Sequence, residues 1–166
     1  MPLKEETEQI FEGDLNASPK GLYILNEGNM NANKASLDYV DFTAGIYKRN
    51  IYGTANPEVT LGLGDVGNDI AIYGSKMYVV VNVSNKVEVL DARTGKKIKH
   101  IELLNGRYIA VNNGKVYVSA YLGKIGDPNS PQGIVAEIDT VSLSIARKVD
   151  VGRQPEEMAV LDNKLY

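Results

Sequence analysis

Three copies of one hairpin pattern, three strands that each end in Asp, and a regular spacing between those Asp predict an all-β chain of repeated four-stranded antiparallel units. The Asp anchors lie at positions 41, 91 and 139, spacings of 50 and 48 residues. That is the period of a blade in a β-propeller. The expected architecture is a partial propeller, with about three blades and the start of a fourth.

The hairpins define the repeat. Asn68 to Val80 aligns with Arg107 to Ser119 and again with Glu156 to Tyr166. In each copy an apolar strand meets a two-residue turn of Gly, Asn, Asp or Ser, then a Lys and an alternating apolar-Tyr-apolar strand, which is the pattern of a tight hairpin. A third strand follows in Ser36 to Asp41, Lys86 to Asp91 and Ile134 to Asp139. Its closing Asp can accept hydrogen bonds from amides two and three residues on, so these Asp read as turn formers rather than catalytic groups.

Blade boundaries follow from this phase. The first blade runs from about Gly21 to Leu63, with Gly21 to Asn26 as its second strand. The second covers Gly64 to Leu103, the third Leu104 to Val151, and Gly152 to Tyr166 begins a fourth. Residues 1–20 read as a flexible leader, in which Lys4 to Glu12 has the composition for a short helix. An open arc of blades leaves apolar faces and sheet edges at both ends. Continuation past Tyr166 for about as long again, or pairing of two copies through those faces, is therefore expected.

Composition excludes several chemistries. The chain has 166 residues, 43% hydrophobic content, a net charge of -3, no Cys and a single His, His100. No overall positive field is present to hold a nucleic-acid backbone, and thiolate metal sites, disulfides and Cys nucleophiles are absent. No apolar run reaches the ~18 residues of a membrane-spanning helix, and Met1 to Glu8 lacks the apolar stretch of a signal peptide. Ten Tyr, two Phe, no Trp and 16 Gly suit short strands joined by tight turns.

The hairpin and the Asp-terminated strand resemble the YncE-like, surface-layer-type seven-bladed propellers of Gram-negative cell envelopes. Gly21-Leu22-Tyr23-Ile24-Leu25-Asn26-Glu27-Gly28-Asn29, Leu63-Gly64-Asp65-Val66, Asn82 to Val87, and Val151-Gly152-Arg153-Gln154-Pro155-Glu156 carry the resemblance. The last matches the glycine, two residues, proline loop that leads the chain toward the central channel. The third blade departs from it, with Asn105-Gly106-Arg107 in that place. The resemblance implies the N-terminal half of such a propeller and a periplasmic or cell-surface location, with the signal segment absent from this chain. Propellers of this kind include lactonases, nucleic-acid binders and proteins without assigned role, so fold alone does not give activity.

Other patterns carry less. Gly62 to Gly67 has the glycine spacing of a dinucleotide fingerprint, but a strand follows it where that motif needs a helix. His100 sits in an outer-strand pattern with no second ligand or base beside it. Asn16-Ala17-Ser18 and Asn82-Val83-Ser84 match the glycosylation acceptor triplet by composition only. Tyr121 to Gly133 is an insertion that reads either as a binding loop or as a surface elaboration.

The residues leading into the innermost strands converge on the channel mouth: Asn68 and Asp69, Arg107 and Tyr108, Arg153, Glu156 and Glu157. They read either as a ligand-binding ring or as groups that satisfy one another. The leading function is a noncatalytic binding or scaffold propeller for a glycan, peptide or protein, with no cofactor and no nucleic acid. The alternative is a lactonase-like hydrolase using a divalent cation such as calcium, for which Glu27, Asn68, Asp69 and Glu156 are the candidate ligands. A third reading, nucleic-acid binding through Lys96, Lys97 and Lys99, suffers from strand alternation and leaves them as a solvated edge.

Overall fold

The computed structural model describes residues 7–9, 20–124 and 127–166. The chain folds into successive antiparallel sheets. The first contains β1 (Thr7–Gln9), β2 (Gly21–Asn26), β3 (Ser36–Asp41) and β4 (Ile46–Lys48), and a short helix, α1 (Ile51–Ala55), follows it. The second contains β5 (Gly67–Tyr73), β6 (Lys76–Val81), β7 (Lys86–Asp91) and β8 (Lys97–Glu102). The third contains β9 (Gly106–Asn112), β10 (Lys115–Ala120), β11 (Ile134–Asp139) and β12 (Ser144–Asp150). A two-stranded hairpin, β13 (Val160–Leu161) and β14 (Lys164–Leu165), ends the described chain.

Strand order is sequential in the second and third sheets, β5-β6-β7-β8 and β9-β10-β11-β12, and is β1-β4-β3-β2 in the first. These are propeller blades, each stacked face to face on the next. The stacking explains the composition of β6, in which Met77 through Val81 are all fully buried. Met77, Val79 and Val81 pack with Leu37, Tyr52, Leu63 and Leu90 toward the first blade. Tyr78 and Val80, with Val87 and Val89, pack against Val116, Val118, Ala136 and Ile138 of the third. A strand with a blade on either side needs apolar residues on both faces, and each buried Val contributes ~1.5–3 kcal/mol.

The turns form as their residues demand. Asp91 Oδ1 accepts from the amides of Arg93 and Thr94 at 3.0 and 2.8 Å, and Asp41 and Asp139 do the same at their own turns. Asp139 is also held by Lys115 Nζ at 2.7 Å. In the β9–β10 turn Asn113 and Gly114 both have positive φ, 45° and 75°, the conformation a two-residue hairpin requires. The glycines of the nucleotide-like pattern lead straight into β5, as expected.

Two local expectations are corrected. Within the segment read as a helix or flexible leader, Thr7–Gln9 forms a strand that pairs with β4 in the register Thr7 to Lys48 and Gln9 to Ile46. The outer strand β4 is only three residues long and leaves an unpaired backbone edge, and an added strand satisfies those groups. The remainder of residues 1–20, apart from Lys20, lies outside the described residues. Lys97 is the second correction. It turns inward from the supposed solvated edge to meet Glu88.

That contact belongs to a wedge between the first two blades. Glu88 is fully buried, ion-paired to Lys86 Nζ at 2.7 Å and Lys97 Nζ at 2.8 Å, and accepts from the Tyr52 hydroxyl of α1 at 3.1 Å. Asn56 ends the helix, donating to the carbonyls of Tyr52 and Gly95 and accepting from Lys97 N at 2.7 Å. Burial pushes the Glu88 carboxyl upward, but the hydrogen bonds and charges of the two lysines outweigh it and hold the group below its ordinary value.

Candidate functional site

The innermost strands β5 and β9 lie side by side, and the repeat brings one position per blade to the same place. Asn68 is the second residue of β5, Arg107 the second of β9, and Glu156 precedes the β13–β14 hairpin. These three equivalent residues form a continuous polar chain across two blade boundaries. Asn68 Nδ2 donates to the Arg107 carbonyl at 2.8 Å, and Arg107 Nη1 donates back to Asn68 Oδ1 at 2.7 Å. Arg107 Nε then donates to Glu156 Oε2 at 3.1 Å.

Two aromatic rings frame the guanidinium. It lies 5.5 Å from the Tyr108 ring centroid and 5.2 Å from that of Tyr121. Each cation-π contact contributes ~0.5–1 kcal/mol at a partly exposed site. The Tyr121 hydroxyl donates to Glu156 Oε1. Burial first, then that bond, pushes the Tyr121 hydroxyl up to about 12, against the opposing effect of Arg107. Burial works against the Arg107 charge, but the hydrogen bond and charge of Glu156, together with both tyrosines, outweigh it and hold the guanidinium more firmly protonated.

The neighbouring ring positions are engaged differently. Asp69 has both carboxylate oxygens on backbone amides, Oδ1 accepting from Ile70 N at 2.8 Å and Oδ2 from Ile109 N of the next blade at 2.7 Å. The Tyr108 amide donates to Ser119 Oγ at 3.1 Å, and Ser119 Oγ donates to the Glu156 carbonyl at 2.8 Å. Ser119 therefore ties the inner strand to the loop that carries Glu156.

Arg153 stands apart and donates from Nη1 to the carbonyl of Pro128 in the inserted loop. Glu157 is exposed. Glu27 is also exposed, and it is its carbonyl that accepts from Gly67 N, at 3.0 Å. Of the candidate metal ligands, then, Asn68 and Glu156 are joined through Arg107, Asp69 is taken up by amides, and Glu27 lies on another blade. No group of three or more His, Cys, Asp or Glu is placed to hold a metal ion among the described residues.

Tyr121 and Ser119 belong to the site and are absent from the sequence-based candidates. The repeat carries a signal for Tyr121, because it occupies the position after the second strand that Asn82 holds in the second blade. Asn82 also crosses to the next blade, donating from Nδ2 to the Gly106 carbonyl at 2.8 Å. The inserted loop leaves the blade beside this site. Its residues 125–126 lie outside the described residues, and Ser130 Oγ closes it on the Lys124 carbonyl at 2.7 Å.

The arrangement holds a charged fork in fixed orientation. Asn68 and Glu156 occupy part of the Arg107 donor set, and the guanidinium retains further N–H groups suited to a carboxylate or other planar acceptor. Its side chain is 21% exposed and that of Glu156 42%.

Residues 20–164 match the family described as a domain of unknown function, DUF5074. No curated protein matches the chain. Among solved structures, dihydro-heme d1 dehydrogenase NirN in complex with DHE is similar at 13% identity and a TM-score of 0.48, covering 82% of this chain and 28% of its own. Kuenenia stuttgartiensis hydrazine synthase is similar at 14% identity and a TM-score of 0.39, covering 74% of this chain and 45% of its own. The chain thus spans less than half the length of either, and neither likeness bears on what it does.

Proposed function

The chain belongs to the DUF5074 family, and from the geometry of its inner strands we propose that it is a noncatalytic binding propeller that takes a carboxylate-bearing glycan or peptide at the channel mouth. The observation that supports this reading is Arg107, braced by Asn68 and Glu156 and framed by Tyr108 and Tyr121. An Arg already ordered by its neighbours loses little side-chain entropy when a ligand arrives, so its remaining donors bind at lower cost. The half-buried Tyr108 ring offers flat apolar surface beside those donors, suited to a sugar face or an aliphatic peptide side chain, while the buried Tyr121 holds the guanidinium from beneath. Residues 121–124 and 127–133 of the inserted loop lie beside the mouth and offer a second contact surface. The resemblance to envelope propellers supports a periplasmic or cell-surface setting.

The test is binding of the full-length protein to an array of neutral and uronic-acid oligosaccharides and carboxyl-terminated peptides. Retention of acidic ligands, weakened about tenfold or more in Arg107→Ala, supports the reading. No preference for carboxylate ligands, or retention undiminished in Arg107→Ala, overturns it.

A further inference from the structure

A second surface lies away from the channel, on the outer rim. β8 is the outermost strand of the second blade, and no strand among the described residues pairs with its far side. A groove of about 500 Å³ lies along it, reaching across to the third blade. Lys86, Lys97, His100, Glu102, Leu104 and Lys148 line it. Three lysines face Glu102 at the surface and Glu88 beneath, which leaves the groove one net positive charge in a chain whose net charge is -3. Glu88, buried beneath, fixes the ammonium groups of Lys86 and Lys97 at 2.7 and 2.8 Å, and its single charge is shared between them. The groove is therefore cationic, with two of its charges already positioned.

The first blade shows what an outer edge of this fold accepts. There β1 pairs with β4 as an added strand, and it comes from the acidic run Glu5-Glu6-Thr7-Glu8-Gln9. β8 presents an equivalent open edge that is twice as long, six residues against three. At ~3.3 Å per residue it offers ~20 Å of backbone donors and acceptors.

We propose that the outer edge of β8 and its lysine-lined groove take up an extended acidic segment of a partner protein by strand addition. The backbone of β8 supplies the hydrogen-bond ladder, which is indifferent to sequence, and Lys86, Lys97 and Lys148 select acidic side chains on alternate residues of the guest. Leu104, 48% exposed, offers an apolar contact at one end of the groove.

The experiment titrates the full-length protein by calorimetry with a short capped peptide alternating Glu and Val. The same peptide N-methylated throughout and a Lys-Val peptide serve as controls. The Glu-Val peptide is expected to bind, to weaken as salt is raised, and to lose about tenfold in affinity in Lys148→Glu. On binding, those amides of Ile98 to Glu102 that point away from β7 are expected to gain protection from hydrogen exchange. Lys148 is exposed, and a circular dichroism spectrum matching the parent verifies that the variant folds. Glu102→Lys, which removes the one acidic side chain lining the groove, provides a second variant and is expected to strengthen binding. Equal binding of the N-methylated peptide would reduce the site to charge alone and overturn strand addition. Absence of binding, or unchanged exchange along β8, overturns the proposal outright. Self-association through this edge that free peptide competes away would assign the groove to a second copy and overturn the partner.

Discussion

Asn68 and Arg107 exchange two hydrogen bonds across a blade boundary, side-chain amide to backbone carbonyl at 2.8 Å and guanidinium to side-chain carbonyl at 2.7 Å. The pair joins residues 39 positions apart that hold the same place in consecutive repeats. Asn68→Ala removes both bonds and leaves Arg107 with Glu156 and the rings of Tyr108 and Tyr121. Urea unfolding is expected to show a loss of ~1–3 kcal/mol. A change within a few tenths would mean that the boundary does not depend on this exchange.

Glu88 links stability to pH. Its carboxyl is held below the ordinary value, so its contribution is present above the unfolded-state value, ~4.3, and disappears as pH falls through the lower folded-state value. Glu88→Gln leaves Lys86 and Lys97 without their counter-charge and is expected to cost ~3 kcal/mol or more near neutral pH. The gap between variant and parent should narrow in acid below about pH 4. Unfolding curves collected across that range provide the measurement, and a gap that stays constant with pH would disprove the linkage.

Tyr121 provides a spectroscopic marker of the channel mouth. Its hydroxyl, pushed up to about 12, should remain protonated where an ordinary tyrosine, near ~10, has half ionised. Glu156→Gln removes an acceptor charge and should move the Tyr121 titration downward while leaving it raised, because burial is the larger cause. Carbon-13 NMR of the tyrosine Cζ, assigned with Tyr121→Phe, reads this directly.

Asp69 separates a structural carboxylate from a metal ligand. With one oxygen on Ile70 N and the other on Ile109 N, Asp69→Ala should lower the melting temperature by the same amount in calcium and in chelator. A loss of stability confined to the calcium sample would instead favour the hydrolase alternative.

Gly133 marks the boundary between the third and fourth blades. A Cβ there would sit 2.3 Å from Pro155 Cδ and 3.0 Å from the Ala120 carbonyl, both parts of a closely packed connection. Gly133→Ala is expected to destabilise the protein by ~1–3 kcal/mol. The change should appear in thermal unfolding and, if the connection shifts, as weaker retention of acidic ligands.

Features whose cause is local were legible in the chain before any packing. Each of the three tight hairpin turns depends on at least one residue that tolerates positive φ, Gly74, Asn113 with Gly114, and Asp162 with Asn163, and each Asp turn on a carboxylate and amides two and three positions away. The repeat also placed Asn68, Arg107 and Glu156 in register. Tertiary packing sets what those positions do, because Asn68 meets Arg107 across 39 residues and Arg107 meets Glu156 across 49. It likewise decided that Thr7–Gln9 extends the first blade, that Tyr121 closes the site, and that α1 carries Tyr52 to a buried Glu88. In each case the partner that makes the arrangement favourable lies on another strand or another blade, and no short stretch of sequence carries the energy of a contact formed only when blades stack.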